Sequence, residues 1–336
     1  MRFSSAKRYL SNKIDLRLGT CLSGLDYVGL IITRTCNFKC PNCDSWKKQD
    51  IGELSQAEWL KVLEEVSGLR PYIEFTGGEP LIKKDLVFAL ASEGRRSGLT
   101  MCLNTNGSLI DEQVADDIIS SGLRMVKVSL YSLNESIHNT LRGVRNAGAR
   151  AKESLNILRN KNADKKIKIQ IGFLLTGLNI DGINEIIDFA SRNNFELAIQ
   201  VLDFVIERQY EQDWEKKSEI WPTAEQLGKY LKPLVVKKPS CVINQKFHLK
   251  LIYDYYLERV APKRICLAPL NNMLVWPNGD VSLCFRSGII GNVAKEPTIK
   301  IWRGREARNE RKRLRQCNKN CRIIGCNVAK GIKDLF

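Results

Sequence analysis

Cys36-Asn37-Phe38-Lys39-Cys40-Pro41-Asn42-Cys43 closely follows a β-type run, Val28-Gly29-Leu30-Ile31-Ile32-Thr33, and its reading decides the fold. Three thiolates on one short loop can hold three irons of a four-iron cluster. They cannot close a four-coordinate zinc site, which needs a fourth protein ligand. A loop leaving the first strand sits at the carboxyl edge of a parallel sheet, where active sites of such folds collect.

Outward from this loop the chain alternates between two hydrophobic periods. Strand patterns cover 27–33, 71–76, 100–104, 125–130, 168–175 and 197–204. Helical patterns cover 54–66, 85–97, 111–121, 147–160 and 181–193. In the first of these, Trp59, Val62, Leu63 and Val66 recur at helical spacing, behind a capping box of Ser55 and Glu58. Repeated β-then-α units predict an α/β fold with a parallel sheet and right-handed crossovers. Six units fit an open, partial (β/α)6 barrel better than a closed eight-fold one.

The other strand ends carry polar, glycine-rich segments. Thr76-Gly77-Gly78-Glu79-Pro80 follows the second strand. Its glycines let backbone approach a ligand, and its carbonyls and Glu79 could receive an ammonium group. Taken alone, an ordinary glycine turn explains it equally well. Asn104-Thr105-Asn106-Gly107 follows the third strand, and the fourth delivers Ser129, then Tyr131 and, farther on, Arg142-Gly143. Arg142 could pair with a carboxylate through its two-pronged donor geometry; the bland alternative is a surface helix arginine.

Composition narrows the classes. The chain has 336 residues, 43% of them hydrophobic, enough for a large packed domain plus a smaller one. No apolar run reaches signal-peptide or membrane-spanning length, which predicts a cytoplasmic protein. In a reducing compartment, eleven cysteines point to metal binding rather than disulfides. The net charge is +16, and residues 300–336 hold twelve Lys and Arg against three acids. Such a tail suits nucleic acid, an anionic substrate, a membrane surface or a solvated helix face, and cations also stabilise metal-binding thiolates. No nucleic-acid-binding motif accompanies the charge.

Together, the three-Cys loop, the GGEP segment, the TNG turn and the Ser129/Arg142 pair resemble the radical SAM superfamily in order and separation. The resemblance implies that Cys36, Cys40 and Cys43 hold a 4Fe–4S cluster whose open iron chelates S-adenosylmethionine. Gly77, Gly78 and Glu79 would meet the amino group of its methionine moiety. Asn104 and Ser129 would lie near its ribose or carboxylate, Arg142 would bind the carboxylate, and Leu175 would lie near the adenine. The chain departs from the family twice. Asn42 stands where relatives carry an aromatic or other large residue, and Tyr131 stands where many have Asp; neither role is transferred. The implied chemistry is reductive cleavage of the cofactor to a 5′-deoxyadenosyl radical, which abstracts hydrogen from a substrate C–H bond. An electron donor such as flavodoxin or ferredoxin is implied as a partner.

A second cysteine set follows: Cys266, Cys284, Cys317, Cys321 and Cys326. Cys284 ends Trp276-Pro277-Asn278-Gly279-Asp280-Val281-Ser282-Leu283-Cys284, which carries a hairpin-turn signal. This resembles the auxiliary-cluster extensions called twitch and SPASM domains. It implies a second, auxiliary 4Fe–4S cluster on Cys266, Cys284 and two of the last three cysteines, Cys317 and Cys321 being favoured. A zinc knuckle on the same thiols is the alternative. The expected division is an N-terminal extension (1–24), the radical SAM core (25–205), a linking helical segment (206–262) and a small α+β auxiliary domain (263–336). An auxiliary cluster suits a net oxidation of a small polar molecule or peptide, with Asp203 and Glu207 as candidate proton acceptors. The alternatives are a SPASM-type peptide-modifying enzyme, a non-catalytic iron–sulfur carrier, and a zinc-dependent nucleic-acid-binding protein.

Overall fold

Alternation decides which way each strand faces. In β1 (Tyr27–Thr33), Val28, Leu30 and Ile32 are buried in the main core, while Tyr27 and Ile31 belong to a separate cluster on the opposite face. The computed structural model describes residues 5–43, 45–47, 52–202, 220–257 and 266–317. The same alternation runs through β2 (Tyr72–Gly77), β3 (Thr100–Thr105), β4 (Met125–Ser129), β5 (Lys168–Leu175) and β6 (Glu196–Val201). Ile73, Phe75, Met101, Leu103, Val126, Val128, Ile171, Phe173, Leu197 and Ile199 form the outward, helix-covered face. Each such side chain contributes about 1.5–3 kcal/mol by leaving water.

The helices lie between consecutive strands. They are α1 (Ser5–Leu18), ahead of the sheet, then α2 (Gln56–Ser67), α3 (Lys84–Arg96), α4 (Glu112–Ser120), α5 (Glu135–Arg142), α6 (Ala147–Lys161) and α7 (Ile183–Arg192). The capping box at α2 forms as expected: Ser55 Oγ accepts from Glu58 N and Glu58 returns the bond to Ser55 N. α1 was not expected from the sequence. Its Leu10, Ile14 and Leu18 are exposed, and its anchor is the buried Asp15 carboxylate. That carboxylate accepts from Thr20 Oγ1, Leu22 N, Ser23 N and Ser23 Oγ.

Strands β1 to β6 pair in chain order, all parallel. The sheet does not end at β1. β7 (Asn272–Val275) adds to it in parallel, and β8 (Asp280–Ser282) and β9 (Ile289–Asn292) continue antiparallel. The order is β6-β5-β4-β3-β2-β1-β7-β8-β9, so the sheet stays open rather than closing into a barrel. The expected hairpin is present: Gly279, at φ 85, makes the turn that lets Trp276 N reach Asp280 O at 2.8 Å. Between β6 and β7, Trp221, Tyr255 and Tyr256 pack together at the ends of β5 and β6. Tyr256 Oη bonds Leu175 O and Leu202 N. These aromatics therefore join the linking segment to the core; Trp214 lies outside the described residues.

Phe75 is fully buried between the sheet and its helices. Phe75→Ala is expected to cost about 3–5 kcal/mol, read as a lower urea midpoint at unchanged slope.

Candidate active site

The inward face of the sheet is polar. By strand parity it presents Tyr27 and Tyr72, Glu74, Cys102 and Asn104, Lys127 and Ser129, Gln170 and Gly172, and Gln200. In register, Lys127 stands opposite Asn104 and Gln170, and Ser129 opposite Gly172. Glu74 and Lys127 form a buried ion pair at 3.5 Å, with Asn104 Nδ2 also donating to Glu74. Burial alone would push the Glu74 carboxyl up, but Lys127, Tyr27 and Asn104 outweigh it and hold it below the usual range. Burial likewise opposes the charge on Lys127, and Glu74 restores it.

Above this face, a cavity of about 210 Å³ opens at the carboxyl edge of the strands. Cys36, Cys40 and Cys43 line it, together with Phe38, Asn42, Trp46, Thr76 to Gly78, Asn104 to Asn106, Lys127, Ser129, Tyr131, Arg142, Gly172 and Gln200. The loop is ordered by its own backbone: Cys43 N donates to Cys40 O at 3.1 Å, and Phe38 N to Cys36 Sγ at 3.4 Å. Burial pushes the Cys36 thiol up to about 11 and raises Cys40 as well. Among the described residues no three metal-ligating side chains converge on a single ion. The three thiols line one cavity, and three thiolates are the ligand set for three irons of a four-iron cluster.

Two glycines let the second strand exit pack on the first. Gly77 sits at φ 137, and a Cβ there would lie 2.3 Å from Thr33 O. At Gly78 a Cβ would lie 2.2 Å from Thr35 O. The close approach is sealed by Gly78 N to Thr33 O at 2.7 Å and Glu79 N to Thr35 O at 2.9 Å.

Glu79 is bonded within the protein itself. Its side chain is fully buried beneath the cavity rather than lining it. The carboxylate accepts from Leu81 N at 3.1 Å, Thr105 Oγ1 at 2.7 Å and Asn106 N at 2.7 Å. It staples the TNG turn to the GGEP segment and leaves Gly77 and Gly78 to face the cavity. Asn106 Nδ2 then donates to Asn37 Oδ1, tying that turn to the cysteine loop.

The side chain of Leu175 does not line the cavity. It lies on the outward face with Phe173 and Ile171, fully buried in the core and away from the cavity lining. Gly172 and Gln200 occupy the cavity wall on β5 and β6. Arg142 lines the cavity and is only 7% exposed, so it is not the surface helix arginine of the bland alternative. Its Nη1 donates to Tyr131 Oη at 2.7 Å, and its guanidinium lies 5.2 Å from the Phe38 ring centroid and 4.8 Å from that of Tyr131. Asn104 and Ser129 line the cavity. Asp203 and Glu207 lie outside the described residues.

Sequence reading missed Phe38, Trp46, Lys127 and Gln200 as cavity residues. For Lys127 the signal existed: a lysine inside the apolar run of β4, two positions before Ser129.

Of the C-terminal cysteines, Cys266 and Cys317 are exposed and Cys284 is half-buried. Burial first, and then the nearby Cys317, push the Cys284 thiol up, while Arg286 N, donating to its sulfur at 3.4 Å, works against them. Cys321 and Cys326 lie outside the described residues.

Comparison with known proteins agrees with this geometry. A family model for the radical SAM superfamily matches residues 30–190, and one for the SPASM iron–sulfur cluster-binding domain matches residues 266–327. The chain is a radical SAM protein with a SPASM domain. Radical SAM domains take a 4Fe–4S cluster and S-adenosylmethionine, and SPASM domains take auxiliary iron–sulfur clusters. The chain is 34% identical to Fe-coproporphyrin III synthase of Methanosarcina barkeri over 161 residues, 47% of this chain and 39% of that protein. It is 25% identical to PqqA peptide cyclase of Gluconobacter oxydans over 268 residues, 78% of this chain and 71% of that one. The match to AdoMet-dependent heme synthase of M. barkeri also covers less than half of either protein, 47% of this chain and 45% of the other. In fold it resembles Streptococcus suis SuiB bound to S-adenosylmethionine, with TM-score 0.69, 17% identity, and coverage of 96% of this chain and 74% of SuiB. It also resembles anSMEcpe with bound AdoMet, with TM-score 0.64, 15% identity, and coverage of 87% and 84%. No described helix is long and apolar enough to cross a membrane.

Two outcomes test this site. Gly78→Ala forces Thr35 away and is expected to lower iron uptake on anaerobic reconstitution, while far-ultraviolet circular dichroism stays unchanged. His138 Nδ1 accepts from Tyr131 N at 3.0 Å, and burial, then Arg142 and Lys152, push the imidazole down to about 3. The unfolded chain protonates this ring near pH 6.5, so its contribution is complete above about that pH and is lost as pH falls toward 3. Stability should therefore fall more steeply on acidification in the wild type than in His138→Asn, by up to about 1.4 kcal/mol per pH unit. Parallel slopes would contradict this.

Proposed function

We propose that this radical SAM enzyme breaks a C–H bond of a peptide substrate and completes a net oxidation with help from its auxiliary cluster. The observation that carries the reading is the cavity itself, with three thiols at its rim and a polar strand face beneath them. In this reading Cys36, Cys40 and Cys43 hold the cluster. Gly77 and Gly78 bring backbone carbonyls to the amino group of the cofactor, and Asn104, Ser129 and Arg142 face its remaining polar groups. When bound, the reduced cluster and S-adenosylmethionine supply a 5′-deoxyadenosyl radical that takes hydrogen from carbon.

The chain's own residues bind, orient and exclude. Glu79 fixes the TNG turn, Lys127, paired with Glu74, brings charge to the cavity lining, and Phe38 and Trp46 border it with apolar surface. Cys266, Cys284, Cys317 and Cys321 would hold one auxiliary cluster able to accept the second electron. Asp203 or Glu207 would take the proton. The peptide reading is supported by coverage: the match to PqqA peptide cyclase extends well beyond the core, whereas that to Fe-coproporphyrin III synthase covers about half the chain. A flavodoxin or ferredoxin would supply the first electron.

Anaerobic reconstitution tests this. About eight irons per chain are expected, and about four after Cys36, Cys40 and Cys43 are replaced by Ala, since each cubane takes four. Only the wild type should release 5′-deoxyadenosine with dithionite and S-adenosylmethionine. Iron without that product would leave a cluster carrier instead, and zinc in place of iron would overturn the reading.

A further inference from the structure

Arg142 is a buried cation with no carboxylate bonded to it among the described residues; the Glu79 carboxylate acts on it only through space. Among the described residues its hydrogen-bond partner is the phenol of Tyr131, and its buried Nε has no acceptor. A guanidinium held this way is costly unless an opposite charge lies nearby. The nearest candidates are the thiols of the loop. The guanidinium carbon lies 5.2 Å from the ring centroid of Phe38, which sits between Cys36 and Cys40, and 4.8 Å from that of Tyr131. Cys36, Cys40, Cys43 and Arg142 all line the same cavity. The end of α5 is pressed onto the loop as well. Gly143, at φ 65, allows this: a Cβ there would lie 2.1 Å from Lys39 O. A ring within the loop, the Tyr131 hydroxyl and the helix end together fix its position.

We propose that Arg142 is a positioning residue for electron transfer: its fixed positive charge offsets the added electron when the cluster on Cys36, Cys40 and Cys43 is reduced. This rests on the cluster reading above and deepens it. One-electron reduction makes the cluster and its thiolates more negative by one unit. A cation in a buried, weakly screened site favours that state and raises the reduction potential. The role differs from binding the carboxylate of S-adenosylmethionine because it operates before that molecule is present.

The test is a dithionite titration of the reconstituted protein without S-adenosylmethionine, followed by electron paramagnetic resonance of the reduced cluster. Arg142→Gln is expected to lower the reduced-to-oxidised ratio at fixed potential at least tenfold, about 59 mV for one electron. Arg142→Lys keeps the charge and should stay near the wild-type potential. Should the Gln chain fail to hold a cluster, the Lys chain decides: a near-wild-type potential supports the proposal, and a tenfold loss overturns it. An unchanged potential in Arg142→Gln, with weaker S-adenosylmethionine binding in equilibrium dialysis, makes Arg142 a carboxylate ligand and overturns the proposal. That result leaves the cluster reading intact, whereas a wild-type chain that takes up no iron removes both.

Discussion

The exits of β1 and β2 approach so closely that no methyl group fits between them. Gly77 and Gly78 lie where a Cβ would meet Thr33 O or Thr35 O at 2.3 and 2.2 Å. This contact fixes the start of the cysteine loop against the GGEP segment, and the rest of the site is built on it. Glu79, one residue on, bonds the TNG turn, whose Asn106 bonds Asn37 inside the cysteine loop. Arg142 and Gly143 close the arrangement from the far side through Phe38 and Lys39. Three strand ends and one helix end thus hold one loop.

The sheet explains why such a site tolerates charge. Its outward face is apolar and helix-covered, and supplies the folding free energy. Its inward face is free to carry Glu74, Lys127, Asn104 and Ser129. A buried ion pair adds little net stability, because desolvation of both charges offsets their attraction. The Glu74–Lys127 pair thus serves to hold Lys127 in the cavity lining more than to stabilise the fold. The C-terminal strands extend this same sheet past β1, so the segment matching the SPASM model is continuous with the core through β7.

Much of this was legible in the sequence because strand periodicity is strong here. The bounds 27–33 and 168–175 match β1 and β5, and the hairpin at Gly279 formed where turn chemistry placed it. The rest was not legible, for local reasons. One step of strand parity puts the Leu175 side chain on the helix-covered face. The donors to the Glu79 carboxylate include residues 105 and 106, a tertiary relation no local pattern reveals. α1 escaped notice because its anchor is a single buried acid rather than an apolar stripe. The parallel addition of β7 to β1 joins segments more than two hundred residues apart and left no mark in either.

The central claim is that three sulfurs leave one iron free to bind the cofactor. Electron–nuclear double resonance of the reduced cluster, with S-adenosylmethionine isotopically labelled at its carboxyl carbon, reads that bond directly. A strong coupling between the label and the cluster is the predicted result. A four-iron cluster that shows none, with all of its irons ligated by the protein, would contradict the account.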